Sequence, residues 1–446
     1  MIGNLLGDAQ QLLDRVHEAH IAYLDLQFTD VTGIIKTVQI PVRQLQNALE
    51  HGVWFDGSAI EGFARVAESD MYLRPDPTTF AILPWEKGDH PIGRLICDVY
   101  TPTGEPFPGD PRAVLRRAVE MAQQMGYRYL VAPELEFFLF RQPVDVATLQ
   151  TDDKVSYFDE SSSESRSIRR MIADALESMG ILVEAGHHEV GWGQHELDFA
   201  PLEALQMADA IMTARLAVKS IAHENKLFAT FMPKPIPRVA GSGMHVHQTL
   251  TDNYDGKNCF ADANNDHGLS SIGRAFLAGQ LIHARGICAV LAPLVNSYKR
   301  LVAGLEAPVY VTWAQLNRSA LVRVPHARAE QPDMTRIELR CVDPSCNPYL
   351  ALAVMVRAGL DGISRGLELP AAAEEELYLF NARRHHLTTL PTSLGEALEA
   401  MEQSDLVSDA LGLNVFERFL EAKRIEWNEY ALEVSPWELE RYLTTY

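Results

Sequence analysis

Apolar and polar positions alternate in three short segments of the chain. The segments are TRIELR at 335–340, PELEFFLF at 133–140 and GSGMHVHQTL at 241–250. Read as strands, each has one apolar face and one face of charged, histidine or hydroxyl side chains. The polar faces carry Glu134 and Glu136, then His245, His247 and Thr249, then Arg336, Glu338 and Arg340. A solvated outer face explains any one segment. Three together favour a polar cavity, because lone charges are costly to bury and charges gathered around a metal or phosphate are much less so.

Helical periodicity and turn residues predict the other elements. The N-terminal MIGNLLGDAQQLLDRVHEAH indicates an amphipathic helix near 7–19 and lacks the apolar core of a signal peptide. IAYLDLQFTD and IIKTVQIP, separated by VTG, predict a β-hairpin. TPTGEPFPGDPRA is rich in proline and glycine and marks a boundary, after which DPRAVLRRAVEMAQQMG predicts a helix that starts at an aspartate. The chain therefore divides into an N-terminal α/β domain over 1–103 and a larger domain over 104–446.

Composition narrows the class of protein. The 446 residues are 47% hydrophobic and 22% charged, which is typical of a soluble globular protein, and no stretch approaches the length of a membrane span. The net charge of −21 argues against nucleic-acid binding, which needs a basic face. Five cysteines without CxxC or zinc-site spacing indicate free thiols and a cytoplasmic location.

A fourth segment, VEAGHHEVGWGQHELDF at 183–199, adds more acids and histidines. With the three alternating strands it completes a set of inward-facing candidates: Glu134, Glu136, Glu189, Glu196, His245 and Glu338. Five carboxylates and one imidazole suit Mg²⁺ or Mn²⁺ better than structural zinc. Six ligands are too many for one Mg²⁺ that must also hold water and phosphate, so the set predicts two ions.

Arginines follow in NSYKRLVAGLEAPVYVTWAQLNRSALVRVPHAR, which supplies Arg300, Arg318 and Arg323. Guanidinium groups bind carboxylates and phosphates bidentately. Two metal ions beside an arginine cluster are typical of nucleotide-dependent phosphoryl transfer. For any single arginine, a surface ion pair remains the commoner explanation.

The chain resembles the class I glutamine synthetases, in particular the shorter alpha-type enzymes of bacteria and archaea. The resemblance extends over nearly the whole length and rests on eight motifs: FDGSAIEGFARVAESDMYLRPDPTTF, PELEFFLF, HHEVGWGQHELDF, FMPKPIPRVAGSGMHVHQTL, NSYKRLVAGLEAP, NRSALVR, TRIELR and DPSCNPYLALAVMVRAGLDGI. It implies an α+β fold with a small β-grasp-like N-terminal domain. It also implies a catalytic domain whose antiparallel sheet lines a funnel.

The resemblance also implies a role for each matching residue. Ligands of the first metal would be Glu136, Glu189 and Glu196, and those of the second Glu134, His245 and Glu338. ATP would contact Glu184, His247, Thr249 and Arg336, and the transferred phosphoryl group would lie near Arg318 and Arg323. Glutamate would be held by Gly241, Arg300 and Arg340. The ammonium pocket and its closing flap would comprise Asp56, Tyr157 and Glu306.

The implied reaction is the ATP-dependent ligation of glutamate and ammonium through γ-glutamyl phosphate. Three departures from the family pattern lie near the two substrates: DGSAI with Ala59 for serine, Ala240 for asparagine, and VAGLE for VPGYE. An alternative is therefore a γ-glutamyl-amine ligase that uses a polyamine, alkylamine or ethanolamine. A relative without catalytic activity is a third possibility, against which the complete ligand set argues.

The resemblance predicts a homo-oligomer as well. The family pattern is a dodecamer of two hexameric rings whose active sites form between subunits, with WELERYLTTY at the C-terminus linking opposing rings. Arg65 matches a position associated with feedback control, although an ordinary surface arginine explains it equally well.

Overall fold

The computed structural model describes residues 2–58, 60, 70–88, 90–145, 148–304, 307–327, 331, 334–374 and 387–446, with side chains from Ala9 onward. Twelve α-helices and fifteen strands are found in these ranges. The strands are β1 Tyr23–Thr29, β2 Ile35–Pro41, β3 Val53–Asp56, β4 Asp70–Pro75, β5 Ala81–Ile82, β6 Ile92–Tyr100, β7 Tyr127–Arg141, β8 Val183–His188, β9 Gln194–Phe199, β10 Leu202–Glu203, β11 Leu227–Thr230, β12 Met244–Asp252, β13 Tyr310–Ala314, β14 Ala320–Arg323 and β15 Ile337–Leu339. The helices are α1 Ile2–Glu18, α2 Leu45–His51, α3 Pro111–Gln124, α4 Ser163–Ser178, α5 Ala204–Glu224, α6 Ser271–Leu291, α7 Ser297–Arg300, α8 Pro348–Arg365, α9 Leu394–Glu402, α10 Asp405–Leu411, α11 Leu413–Ala431 and α12 Pro436–Tyr442.

The N-terminal sheet has the strand order β2-β1-β6-β4-β3, with β5 beside β6. β1 and β2 pair antiparallel from Tyr23–Pro41 to Thr29–Ile35, which confirms the predicted hairpin. Helix α1 buries Leu12 and Val16 in the same cluster as Leu24 and Leu26 of β1. This small core is separate from the large core that underlies the second sheet.

The second sheet has the order β13-β14-β15-β12-β7-β9-β8, and β10 and β11 also pair with β7. Its pairings are antiparallel except that of β13 with β14. Helices α3 and α5 pack against β7, and α6 and α8 pack against each other. The α+β class and the division into a small and a large sheet agree with the sequence, whereas the boundary at 103 stays a prediction.

Local signals account for the helix that opens the larger part of the chain. The Asp110 carboxylate accepts a hydrogen bond of 2.9 Å from the backbone N–H of Arg112, and Pro111 occupies the first helical position. Among the described residues, every helix falls short of the length and apolar character that crossing a bilayer requires.

Candidate active site

Strand register brings the polar faces of the second sheet together. Glu134 of β7 lies opposite His245 of β12, and His247 of β12 lies opposite Glu338 of β15. On the other side of β7, Glu136 lies opposite Glu196 of β9. Because directly opposite residues in a sheet are neighbours on the same face, four separate segments present one continuous polar surface.

This surface forms one wall of a cavity of about 410 Å³. The cavity brings together twelve of the residues singled out from the sequence: Glu134, Glu136, Tyr157, Glu189, Glu196, Gly241, His245, Arg300, Arg318, Arg323, Glu338 and Arg340. All six predicted metal ligands are among them. The polar-cavity interpretation of the alternating segments is therefore confirmed, and the role of each residue stays a prediction.

Glu134, His245 and Glu338 form a compact group of donors in the cavity. Their ligand atoms lie within 4.8 Å of one another. Nδ1 of His245 is 3.1 Å from Oε2 of Glu134 and 3.7 Å from Oε1 of Glu338. Burial and the nearby Arg340 lower the pKa of His245 to about 4, so the imidazole is neutral at physiological pH. Two carboxylates beside a neutral imidazole suit a divalent cation such as Mg²⁺ or Mn²⁺.

The charge state of the two carboxylates also suits a cation. Burial favours neutral Glu134, but hydrogen bonds from His245 and His247 together outweigh it and lower the pKa of Glu134. Burial likewise opposes ionisation of Glu338, and Arg340 is the strongest of the charges that lower its pKa to about 2. Both groups are therefore carboxylates at neutral pH.

Glu136, Glu189 and Glu196 crowd one another at the other end of the cavity. Burial and the Glu189 carboxylate raise the pKa of Glu136 to about 8. Burial and Glu136 raise the pKa of Glu196 as well. A divalent cation between these groups would remove the repulsion that now favours protonation. The donor set therefore fits the predicted first metal.

Two neighbours of this acid group were not singled out from the sequence. His187, Glu196 and Asp198 have ligand atoms within 4.8 Å of one another, and both His187 and Asp198 line the cavity. Alternation along β9 places Asp198 two residues from Glu196, on the same face. This period of two was a signal that could have identified Asp198 from the sequence.

The crowded acids predict how stability depends on pH without metal. The Glu136 pKa is about 8 in the folded protein against an ordinary 4.5, so between these values only the folded state keeps the proton. Stability is then lost as pH rises through this window. We expect the Tm of EDTA-treated wild-type protein to fall more steeply between pH 5 and pH 8 than the Tm of the EDTA-treated Glu136→Gln variant. Mg²⁺ or Mn²⁺ should reduce the wild-type slope, and equal slopes for the two metal-free proteins would contradict the assignment.

Arginine side chains line the same cavity as the acids. Arg323 donates a 2.5 Å hydrogen bond from Nε to Oε2 of Glu338, and Arg340 donates to Oε1 of the same carboxylate. Arg318 is exposed at the cavity and hydrogen-bonds to Tyr157. Glu338 thus holds two guanidinium groups in fixed positions as well as lying beside His245.

Arg300 is predicted to bind the substrate directly, but its guanidinium group is buried and donates hydrogen bonds to the protein backbone. It is 2% exposed, and Nη1 donates to the carbonyl oxygens of Cys341 and Val342 at 3.1 and 3.2 Å. Nη2 donates to the carbonyl oxygen of Arg340 at 3.0 Å. Three of its hydrogen bonds therefore hold the backbone that follows β15. The sequence could not reveal this, because a pattern of residue types does not show where backbone carbonyls lie.

Gly241 is needed where the chain passes close to Pro233 and Arg300. A Cβ atom at this position would lie 2.2 Å from the carbonyl oxygen of Pro233, closer than real contacts allow. The Gly241 carbonyl also accepts a hydrogen bond of 3.2 Å from Nε2 of Gln194. The close approach explains glycine here by packing.

The predicted nucleotide contacts lie outside the cavity lining. Nε2 of His247 is 2.7 Å from Oε1 of Glu134, and Nε of Arg336 donates to Nδ1 of His247 at 3.2 Å. Thr249 is half-buried farther along β12, and Glu184 is exposed on β8. The first two residues are therefore directly connected to the acid group, whereas Glu184 and Thr249 are not.

Of the predicted ammonium residues that the structure describes, Tyr157 lines the cavity and Asp56 does not. Asp56 is exposed at the end of β3 in the N-terminal sheet and does not line the cavity. Its carboxylate accepts hydrogen bonds from the backbone N–H and the hydroxyl of Ser58, which lower its pKa. Glu306, Ala59 and Arg65 lie outside the described residues.

A buried network behind the acids was missed by the sequence reasoning. Nε2 of His195 is 3.1 Å from Oδ2 of Asp152, and Nε2 of His188 is 2.8 Å from Oδ1 of Asp153. Nδ1 of His195 lies 2.7 Å from Nη1 of Arg169. Nδ1 of His188 lies 2.6 Å from the carbonyl oxygen of Glu189. Since both nitrogens of each histidine are occupied, the network connects the segment that carries Tyr157 to β8 and β9.

Two family descriptions match consecutive parts of the chain. The glutamine synthetase β-grasp domain matches residues 20–102, and the glutamine synthetase catalytic domain matches residues 108–442. Together they cover most of the chain and agree with the two sheets seen in the structure.

Curated relatives match over nearly the full length. A glutamine synthetase of Clostridium saccharobutylicum is 47% identical over 98% of this chain and 99% of its own. One of Thermus thermophilus is 48% identical over the same shares. Among solved structures, GmaS in complex with ADP superimposes with a TM-score of 0.88 at 30% identity, covering 97% of this chain and 99% of its own.

Proposed function

The chain belongs to the glutamine synthetase family, and from this premise we propose that it joins glutamate to ammonia at the expense of ATP. Phosphoryl transfer to the γ-carboxylate of glutamate forms γ-glutamyl phosphate, and ammonia then displaces phosphate. The observation that carries the proposal is a single cavity whose lining combines the clustered carboxylates with Arg318, Arg323 and Arg340. Such a cavity can hold a cation-bound phosphate and an anionic amino acid together.

Two divalent cations fit the donor sets of the cavity. Glu134, His245 and Glu338 would hold one, and Glu136, Glu189 and Glu196 the other. Bound there, the ions supply electrostatic stabilisation of phosphate charge. The fit rests on the crowding that raises the pKa of Glu136 and on the neutral imidazole of His245.

The side chains of this chain orient the reacting groups. Arg318 and Arg323 lie on the cavity wall where guanidinium groups can neutralise charge on a transferring phosphoryl group. Arg340, fixed by its bond to Glu338, is positioned to bind a substrate carboxylate. Asp56, Tyr157 and Glu306 are proposed to bind ammonium and accept its proton, because only free ammonia can attack the acyl phosphate.

A second candidate is the same chemistry with an organic amine. The observation that favours it is the structural likeness to GmaS, a γ-glutamylmethylamide synthetase. Ala59 in DGSAI points in the same direction, since it replaces a hydroxyl by a hydrogen at a position assigned to the amine end of the site. Asp56 and the 47–48% identity to glutamine synthetases favour ammonia.

A panel of amines decides between the two candidates. We expect kcat/KM for ammonia to exceed that for methylamine, ethanolamine and putrescine when each is corrected for its free-base concentration at one pH. The reason is that an anionic, narrow pocket favours the smallest cation. If an organic amine exceeds ammonia tenfold, the second candidate replaces the first. Failure of all four amines to stimulate ADP release would refute both.

We also propose an oligomer with active sites completed by neighbouring subunits. Two observations support it. Asp56 is exposed and does not line the cavity that contains Tyr157. The C-terminal arm at 432–446 leaves large apolar side chains in solvent. Leu432 is 83% exposed, Trp437 56% and Leu443 73%, although a capping box with Ser435 and Glu438 stabilises α12. A dodecamer of two hexameric rings is the proposed arrangement.

All five cysteines are free, which supports a cytoplasmic location.

Mixing two inactive variants tests the shared site. Asp56→Asn and Glu338→Gln would each impair turnover in a homo-oligomer, for different reasons. Co-expressed in one cell, they should form mixed oligomers in which some sites carry neither substitution, and part of the activity should return. The proposal would be contradicted if wild-type protein that sediments as a monomer were fully active. It would also be contradicted if oligomers shown to contain both variants recovered no activity.

A further inference from the structure

A second cavity, here named the junction cavity, lies between the N-terminal sheet and helix α5. Its volume is about 440 Å³, and it shares no lining residue with the candidate active site. β6 contributes Arg94 and Ile96, and α5 contributes Asp209 and Thr213. A ligand in this cavity would therefore contact both parts of the molecule.

Arg94 is the unusual feature of the junction cavity. It is 4% exposed, yet its Nε has no hydrogen-bond partner, and no described carboxylate lies within ion-pair distance of its guanidinium. Burial lowers its pKa, and the Asp209 carboxylate, which lies beyond ion-pair distance, opposes this effect. Arg94 lines the cavity, and a guanidinium without an ion-pair contact is a binding group for an oxygen acceptor, above all a carboxylate.

Arg112, which also lines the junction cavity, differs from Arg94 because its guanidinium group is fully ion-paired. Arg112 is 3% exposed and donates to Asp76, Asp98 and Asp209 at 2.8, 2.6 and 2.9 Å. Asp76 and Asp209 also line the junction cavity. The cavity therefore presents an unpaired guanidinium and, separately, carboxylates that already bind one cation.

The balance of charges around the junction cavity restricts the kind of ligand that can bind to Arg94. The charged residues of the lining and their ion-pair partners comprise four carboxylates and four guanidiniums: Asp76, Asp98, Glu203 and Asp209, and Arg94, Arg112, Arg116 and Arg128. A simple anion on Arg94 would leave an uncompensated negative charge beside the aspartates. A zwitterion keeps the cavity neutral, with its carboxylate at Arg94 and its cationic group towards the aspartates.

The remaining wall is apolar. Phe80, Ile96, Met179, Ile181 and Leu205 line the junction cavity. Burying an aliphatic side chain against them is favourable, because it removes apolar surface from water. We propose that the junction cavity binds a small α-amino acid with an apolar side chain, its carboxylate held by Arg94.

Leucine and its two truncated analogues test the proposal by calorimetric titration of the full-length protein without nucleotide. 4-Methylpentanoate lacks the ammonium group, and 3-methylbutylamine lacks the carboxylate. We expect saturable binding of leucine and at least about tenfold weaker binding of each analogue. Arg94→Gln should weaken leucine by a similar factor, while Arg74→Gln, an exposed arginine on β4, should not.

Further measurements keep the test decisive. Leu205→Trp fills the cavity and leaves Arg94 intact, so it should also abolish leucine binding. This variant provides the test if Arg94→Gln does not fold. Saturating glutamate should leave leucine binding intact, which distinguishes this cavity from the candidate active site. The proposal is overturned if leucine does not bind, if Arg94→Gln binds normally, if glutamate displaces leucine, or if 4-methylpentanoate binds as tightly. No measurement depends on turnover, so failure here leaves the proposed function unaffected.

Discussion

Replacing Glu338 by glutamine is expected to reduce kcat by about 10²–10³-fold or more, the usual loss when one preorganised electrostatic contact is removed. Glu338 is fully buried, lies 3.7 Å from Nδ1 of His245 and accepts hydrogen bonds from both Arg323 and Arg340. Glutamine keeps the volume but removes the negative charge. One metal ligand weakens, and two guanidinium groups lose the anion that positions them.

The choice of glutamine rather than alanine follows from the structure. From the sequence alone, Glu338→Ala is expected to abolish turnover and leave folding intact, and this stays a prediction. Both substitutions remove the charge from a buried ion pair, but alanine also leaves a void and removes both oxygens that accept hydrogen bonds from Arg323 and Arg340. Glutamine is therefore the milder change. The measurement is kcat at saturating ATP, glutamate and Mg²⁺, together with Tm, with Glu120→Gln on the exposed face of α3 as the matched control. Near-normal turnover of a folded Glu338→Gln would remove Glu338 from the proposed ligand set.

Replacing Asp56 by asparagine is expected to lower ammonia-dependent kcat/KM by about 10²-fold or more, the range for a lost general base. Asparagine keeps the size and the acceptor for Ser58 but cannot attract ammonium or take its proton. ATP binding should be unchanged, because Asp56 is assigned to the ammonium pocket and not to the nucleotide contacts.

The pH dependence distinguishes this role from a structural one. As pH rises, more of the ammonia is already deprotonated, so the defect of Asp56→Asn should shrink. A structural defect would persist at every pH. Asp25→Asn in β1 of the same sheet is the control and should retain turnover. A loss that does not vary with pH, or one that Asp25→Asn shares, would refute the assignment.

The strand faces were predictable because alternation is a local property. In TRIELR, PELEFFLF and GSGMHVHQTL the side-chain period of two places all charged and histidine residues of a segment on one face without knowledge of the fold. The β1–β2 hairpin and the Asp110 cap were predictable for the same reason, since their signals lie within a few residues of the element they specify.

Contacts between distant segments were not predictable in this way. The Asp152–His195 and Asp153–His188 pairs join positions more than thirty residues apart, and neither aspartate lies in a distinctive motif. The hydrogen bonds of Arg300 to backbone carbonyls are invisible to a reading of residue types. Arg94 was overlooked as well, because its significance is the absence of a partner, which only the packed structure reveals.

The sequence by itself determined which residues face a polar interior, the chemical type of donor available there, and the family to which the chain belongs. The tertiary structure alone decided how these residues meet. Antiparallel register places Glu134 opposite His245 and Glu338 opposite His247, and packing of α5 against the N-terminal part of the chain creates the junction cavity. The physical reason is range: side-chain alternation is imposed by the local backbone, whereas register, burial and charge pairing depend on segments that only folding brings together.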